Sequence, residues 1–519
     1  MMIGTNLSWI LDYSSEITFV DAFRGSRYWV DSAFGTFGDT GGTLDSDGWV
    51  TALGTGNDAI ARTLIFRDIG GHYPSGDWVI LYDGTGTIDY SAGDGTLIDS
   101  TPNRHVLRIT TPTTAGIIIS ITATNASPNH VRNIRVIPPG GICTANIFQH
   151  VDGSGQCSGD YLSYEAGYAT IRFLPQFLDS IKNYSVLRFK DWQSTDSSSQ
   201  VNWSDRPVTT QSNWVADRPT QPGVPVEIIV ELANKLNKDI WVNMPHQASD
   251  TYVDSFADYV FANLNANLNV YLEYSNECWN SIFSQAAYCE AQGIADPTIN
   301  GAGGTNFDKQ MRYYSQRSVD VFSIWRTAFG ASAGRIKCCM GTQAASTGVT
   351  DLVMLWQDAN LDTDFLSMAP YFGGSLSEGS FANSDEVFVA IDGSGGGSIT
   401  EALGRSDNQV SKADTYGVGL NCYEGGQHLT GGGSLFNSVN NDARMYTRYT
   451  TYLNALQNDS VSVFVHFQNC SVYGSSGRWG ALEYLEEPLA EAPKYDALMD
   501  FIEAQSSAIA HILRPAMLS

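Results

Sequence analysis

The sequence predicts an α/β chain folded as a (β/α)8 TIM barrel with an antiparallel β-sandwich inserted after its first strand. Three observations lead there. From about residue 160 onward, amphipathic helical stretches alternate with short, wholly apolar strands, which is the pattern of a parallel sheet covered on its outside. With an opening strand at 3–9, eight such strands occur, the number that closes a barrel. Between about 36 and 140 the texture changes to short β-branched runs separated by Gly, Asp, Asn and Ser turns, with no helical period. The domain reading is therefore a first barrel strand and loop over 1–35, the inserted sandwich over 36–142, and the rest of the barrel over 143–519.

The elements follow in order. The insertion carries candidate strands at 49–53, 62–66, 77–82, 105–110, 116–123 and 133–137, and Pro138-Pro139-Gly140-Gly141 closes it as a linker. After it, PQFLDSIKNY leads to SVLRFKDW, VEIIVELANKLN to DIWVNMPH, and YVDSFADYVFANL to LNVYLEYSNECWN. A long helix at about 309–328 leads to GRIKCCMG, and a helix at 351–357 leads to DFLSMAPYF. GSITEALGRSDNQVSKADTYG leads to VGLNCYEGG, ARMYTRYTTYLNALQN leads to VSVFVHFQN, and a last helix starts near 488. A doubly wound open sheet is the rival fold, and no Gly-rich dinucleotide or phosphate-binding pattern opens any of these helices.

Composition narrows the partners. With 29 basic and 55 acidic residues the net charge is −26, a field that repels phosphate backbones and anionic lipid and disfavours nucleic acid and membrane partners. Neutral polysaccharides or oligosaccharides remain, and aromatic content of 12% suits them, because sugar C–H faces pack on Trp and Tyr rings. No apolar run of 18 residues is present to span a bilayer. The start MMIGTNLSWILDYSSE lacks a basic and long apolar leader, so an extracellular or secreted setting implies a removed leader or export inside a virion. Eight cysteines are too few for a disulfide scaffold. Cys143 with Cys157, and Cys278 with Cys289, are candidate pairs, whereas Cys338, Cys339, Cys422 and Cys470 read as small core residues.

In a barrel of this kind chemistry sits where strands end and loops begin. The second strand ends in Arg188 and Asp191-Trp192, the third in Asn243 and Pro245-His246, and the fourth in Asn276-Glu277. The sixth ends in Tyr371, the seventh in Tyr423-Glu424, and the eighth runs out through His466, Phe467 and Gln468. Two glutamates thus face each other across a mouth lined by Trp, Tyr, His and Asn. Such a pair is equipped to cleave a glycosidic bond, one acid protonating the leaving oxygen and the other attacking the anomeric carbon. Glu273 shares strand parity with Glu277 and points into the barrel, as an ion partner for a residue such as Arg188.

YLEYSNECWN resembles the strand-four signature of clan A retaining glycoside hydrolases, in which Asn directly precedes the acid/base Glu, and CYEGG resembles the strand-seven nucleophile of the same clan. The clan includes cellulases, mannanases and xylosidases, and the closest style of barrel is that of family 5. The resemblance covers about 160–480 and implies Glu277 as acid/base, Glu424 as nucleophile, and Asn276 as the holder of the sugar 2-hydroxyl. It further implies Tyr371 as the residue that orients the nucleophile, with Arg188 and His246 as supporting polar residues and no cofactor or metal. Trp192, Trp203, Trp214, Trp279 and Trp479 are candidate sugar platforms, Trp192, Trp279 and Trp479 among them taken as substrate-binding. A carboxyl separation of about 5–5.5 Å would follow, with net retention. Three departures stand out. VFVHFQN lacks the clan's strand-eight Trp, a place Trp479 would fill. Cys278 follows Glu277 where family 5 often has Pro, and the 36–140 insertion is not a general feature of the clan.

Plainer readings stand beside these. Glu277 reads also as a solvated loop acid, Glu424 as a turn acid, Arg188 as a core ion partner, and His246 as a structural histidine. Any single one of Trp192, Trp203, Trp214, Trp279 and Trp479 reads as packing. NWSDRP (202–207) and NWVADRP (213–219) form a near-duplicate read as a cleft wall, and LDSDGW (44–49) reads as a plain turn rather than a calcium loop. The alternative function is a non-catalytic carbohydrate-binding protein, such as a virion or cell-surface adhesin with a relic barrel. A serine hydrolase lacks its G-x-S-x-G elbow, and no Cys/His spacing suits zinc.

Overall fold

Short apolar strands cannot leave either face in water, and here each closes into a sheet whose two faces are covered. The computed structural model describes residues 1–216 and 223–513, and in it eight parallel strands form a closed barrel. They are β1 (Met2–Asn6), β2 (Val186–Arg188), β3 (Asp239–Met244), β4 (Val270–Tyr274), β5 (Ile336–Gly341), β6 (Phe365–Met368), β7 (Gly419–Cys422) and β8 (Val463–His466). Closure is direct: β1 pairs with β8 at Met2↔Val463 through Thr5↔His466 and with β2 at Gly4↔Val186 through Asn6↔Arg188. Gly4 is required at this seam, because a Cβ there would lie 2.7 Å from the Val186 carbonyl oxygen.

The outer helices show why the sequence period reads as it does. Val226–Leu236 buries Ile228, Ile229, Leu232, Ala233 and Leu236 on one stripe and ends at Asn237, whose φ of 52° is the left-handed stop favoured by Asn and Gly. Ser249 caps Asp250–Asn263 by accepting from the Tyr252 N–H, and Thr305 with Asp308 forms a capping box for Asn306–Phe329. No helix among the described residues is long and apolar enough to cross a membrane.

The segment between β1 and β2 carries antiparallel sheets. One has four strands in the order Arg132–Ile137, Gly76–Asp83, Arg104–Ile109, Thr96–Thr101; another has three, Ala61–Ile65, Ile117–Thr124 and Gly86–Asp89. Alternate residues of both, Trp78, Ile80, Leu107 and Ile109 from the first with Ile65, Ile117, Ile119 and Ile121 from the second, enter one hydrophobic cluster. The segment meets the barrel side through Trp49 stacked on Phe23 at 5.2 Å, His72 stacked on Tyr484 at 3.7 Å, and the Ser212 N–H donating to the Asp47 carbonyl at 2.7 Å.

Two details differ from the sequence expectation. Residues 141–163 do not resume the barrel directly but form a further small antiparallel sheet, Gly141–Cys143, Asn146–Val151 and Tyr161–Ser163. Its Gly/Ser-rich loop is stapled by a Cys143–Cys157 disulfide, whereas Cys278 and Cys289 are both free and buried. In the near-duplicate, Trp203 packs against Tyr252 and Phe256, and Trp214 against Phe19, while Asp217, Arg218 and Pro219 lie outside the described residues.

Candidate active site

The floor of the barrel mouth is a buried polar layer set by strand register. Asn6 lies beside Arg188, Arg188 beside Trp241, and Asn243 beside Glu273, so side chains of like parity on β1 to β4 converge inward. Arg188, with no exposed surface, donates to Asn6 Oδ1 (3.0 Å), Glu273 Oε2 (2.9 Å), Asn276 Oδ1 (3.1 Å) and Glu424 Oε1 (2.7 Å). Burial opposes its charge, but the carboxylates of Glu273 and Glu424 outweigh it and hold the guanidinium above its ordinary value. Glu273 gathers its donors on Oε2: besides Arg188 it accepts from Trp241 Nε1 (3.0 Å) and Asn243 Nδ2 (2.8 Å). It is the inward ion partner that strand parity requires.

Beyond β4 the chain bends sharply, with Ser275 at φ 58° and Glu277 at φ 41°, both in the left-handed region that non-glycine residues seldom adopt. The bend is held by side-chain amides on successive carbonyls: Asn243 donates to Ser275 O (2.6 Å), Gln285 to Asn276 O (2.8 Å) and Gln310 to Cys278 O (2.5 Å). Its effect is to lift the Glu277 carboxyl out of the floor into a cavity of about 460 Å³, which Trp279, Tyr371, Tyr423 and His428 also line.

Glu424 follows β7 on the facing side. Glycine at 426 is needed to turn the chain there, since its φ is 119° and a Cβ would lie 2.8 Å from the Tyr449 hydroxyl. Glu424 accepts from Arg188 Nη1 on one oxygen and from the Tyr371 hydroxyl (2.9 Å) on the other. Glu277 accepts only neutral donors, Tyr423 OH (2.8 Å) and Asn280 Nδ2 (2.9 Å). Burial, and then the nearby charge of Glu424, raise the Glu277 carboxyl above its ordinary 4.5. The two carboxyl groups, one after β4 and one after β7, are therefore in unlike environments, one against a cation and one disposed to keep its proton. Burial and the adjoining carboxylates hold the Tyr371 and Tyr423 phenols well above 10, so both remain donors.

The remaining expected residues divide. Asn276, 2% exposed, bridges Arg188 and Asp196, donating to Asp196 Oδ1 at 2.9 Å. Trp279 lines the cavity, its ring edge-on to Tyr314. Trp479 meets Phe467 at 5.7 Å and His428 at 5.5 Å, both of which touch Tyr371. Two expectations need correction. Trp192 is fully buried among Phe19, Phe177 and Phe189 and faces the core, because the chain has turned away from the mouth by the end of SVLRFKDW. His246 is 2% exposed, its ring edge-on to Tyr288 and its carbonyl pinned by the Tyr274 hydroxyl (2.7 Å), and it is not among the residues that line the cavity at Glu277. Burial lowers it to about 4, leaving it neutral.

Sequence reasoning passed over Lys190, Asp196 and Trp9. Lys190 lies two residues past Arg188, just beyond the end of β2. Its Nζ lies 2.6 Å from Asp191, 3.1 Å from Asp196 and 4.0 Å from Glu424. Tyr423 was noted only as the neighbour of Glu424, and its hydroxyl proves to hold Glu277.

No family model and no curated protein matches the chain. Solved structures similar to it include a Cellulomonas fimi endo-β-1,4-mannanase double mutant, at 12% identity and TM-score 0.36, over 61% of this chain and 63% of that one. A Fusarium oxysporum 4-O-α-L-rhamnosyl-β-D-glucuronidase matches at 15% identity and TM-score 0.38, over 65% of this chain and 66% of that one. A Thermotoga maritima β-glucosidase matches at 12% identity and TM-score 0.36, over 63% of this chain and 84% of that one. The chain thus spans less than two thirds of the length of the first two. At these values the matches carry no weight for the site, which rests on the chain's own geometry. The resemblance to clan A glycoside hydrolases stands on the closed parallel barrel and the glutamates following β4 and β7.

Proposed function

We propose that this chain is a retaining glycoside hydrolase that cleaves β-linkages of a neutral polysaccharide or oligosaccharide by double displacement. The observation that carries the reading is the asymmetry of the two glutamates. Glu424 is held by Arg188 and Tyr371, and Glu277 has only neutral donors.

In the first step the Glu424 carboxylate attacks the anomeric carbon while Glu277 gives its proton to the leaving oxygen, so the glycosidic bond breaks as the ester bond forms. In the second, Glu277, now ionised, takes a proton from water. The resulting oxygen displaces Glu424, which returns to the carboxylate under Arg188. The Tyr371 hydroxyl aligns the attacking oxygen, Asn276 meets the sugar 2-hydroxyl with its second amide hydrogen, and Trp279 and Trp479 offer ring faces at the cavity rim.

The sheets between β1 and β2 are read as a sandwich that braces the barrel flank. The Cys143–Cys157 disulfide supports an extracellular or secreted setting, where such bonds persist. A panel of plant, algal and bacterial polysaccharides tests the reading: at least one neutral β-linked polymer releases reducing ends with the wild type and none with Glu277→Gln/Glu424→Gln. Absence of release across the panel, or release by the double variant, overturns it.

A further inference from the structure

Arg188 cannot serve Glu424 alone, because the same guanidinium is divided between Glu424 and the equally buried Glu273. The pair of carboxylates leaves one negative charge over, in a place where water barely screens it. The other cation within reach is Lys190, with 5% of its side chain exposed and its Nζ 4.0 Å from Glu424 Oε1. That distance is too long for a hydrogen bond and short for a charge interaction in a dry site. The ammonium is fixed from above by aromatic faces, lying 5.1 Å from the Trp9 ring and 5.4 Å from the Phe467 ring. On its other side it donates to Asp196 Oδ2 at 3.1 Å, and Asp196 Oδ1 in turn accepts from Asn276 and Gln285.

We infer that Lys190 is a positioning residue for the nucleophile: its ammonium is the second positive charge at Glu424 and, through Asp196, it fixes the Asn276 amide beside the acid/base. This rests on the glycosidase reading of the glutamate pair. The groups facing this pair are Arg188, Glu273, Asp191, Asp196, Tyr371, Glu277 through Tyr423, and His428, with Glu16 behind Asp191. Asp191 is the nearest of the three acids, its Oδ1 2.6 Å from the ammonium, and burial raises its carboxyl to about 7 against the pull of Lys190, so the one ammonium is divided among Asp191, Asp196 and Glu424. His428 is held neutral by burial and adds no competing cation.

The test uses Lys190→Met, Lys190→Arg and the double variant Lys190→Met/Asp196→Asn, which removes one of the two aspartates that Lys190→Met leaves uncompensated and is read against Asp196→Asn. Two readouts are taken. One is the titration of the Glu424 carboxyl by carbon-13 NMR of Glu-labelled protein, its resonance assigned by loss in Glu424→Gln; this needs no substrate. The other is the pH profile of kcat/KM on whichever polymer of the panel is turned over. In Lys190→Met the Glu424 midpoint and the low-pH limb both move up by about one pH unit, and Lys190→Arg returns both to the wild-type position. If Lys190→Met does not fold, the double variant is compared with Asp196→Asn, so that only the ammonium differs. An unmoved midpoint overturns the role of Lys190 even if activity falls. A wild type inactive on the whole panel counts against the glycosidase reading, and the NMR titration still decides Lys190.

Discussion

Glu273 and Glu424 hold opposite arms of one guanidinium yet have different tasks, and reach explains the difference. Glu273 lies within the β4 ladder, 1% exposed, with Arg188, Trp241 and Asn243 all donating to its Oε2, so it is withdrawn from the mouth. Glu273→Gln should cost about 3–5 kcal/mol in denaturant unfolding, because it breaks a buried pair and leaves Arg188 unbalanced. An unchanged midpoint with lost turnover would exchange the roles of Glu273 and Glu277. Glu424→Gly removes the nucleophile while keeping Glu277, so turnover nearly vanishes and azide yields a glycosyl azide of inverted configuration. Glu277→Ala keeps the nucleophile, so substrates with good leaving groups still react and azide gives a product of retained configuration. Exchanged azide stereochemistry between the two variants would reverse the assignment.

At the scale of elements, the chemistry depends on what happens in the three or four residues after each strand. Within a strand parity is strict, so Arg188, Glu273 and the barrel itself were legible from the sequence: wholly apolar runs admit few alternatives. Past the strand end parity lapses. Trp192 stands at the end of an apparently inward-facing tip, but the chain has already folded back and the ring joins Phe19 and Phe177. His246 follows β3 in the same way and ends under Tyr288. Glu277 was placed correctly by its motif, but the left-handed bend at Ser275 and Glu277 that lifts it into the cavity has no local sequence signal, because its props, Gln285 and Gln310, come from later helices. The small sheet over 141–163 was hidden by a Gly/Ser-rich loop that reads as linker, with the Cys143–Cys157 spacing as its one visible trace. The insertion's role is tested by deleting 36–140. The Trp49–Phe23 and His72–Tyr484 stacks lie on its docked side, so the shortened chain should lose solubility or melt well below the full chain, with reduced turnover. A soluble, equally stable and fully active barrel would remove the bracing role.

Across the whole molecule, acidity and burial combine into a pH dependence with a definite sign. Burial raises Glu16 to about 8 although the Ser8 N–H and Asn469 hydrogen-bond it, and raises Asp191 to about 7. Both acids bind protons more tightly in the folded than in the unfolded chain, so between their ordinary values near 4 and these raised ones, stability falls as pH rises. Buried His246 and His466, lowered to about 4 and about 3, oppose this trend below pH 6.5. Thermal melts should therefore decline between pH 7 and 8, and Glu16→Gln should flatten that decline; a slope unchanged by Glu16→Gln would contradict this account of the buried acid. The net charge of −26 gives the surface a field that repels anionic polymers. The double-displacement reading itself is tested most directly by proton NMR of the first product released from a β-linked substrate, before mutarotation mixes the anomers. That reading predicts that the β-anomer appears first and the α-anomer grows in slowly. An initial α-anomer would mean a single inverting displacement, with Glu424 acting as a base through water.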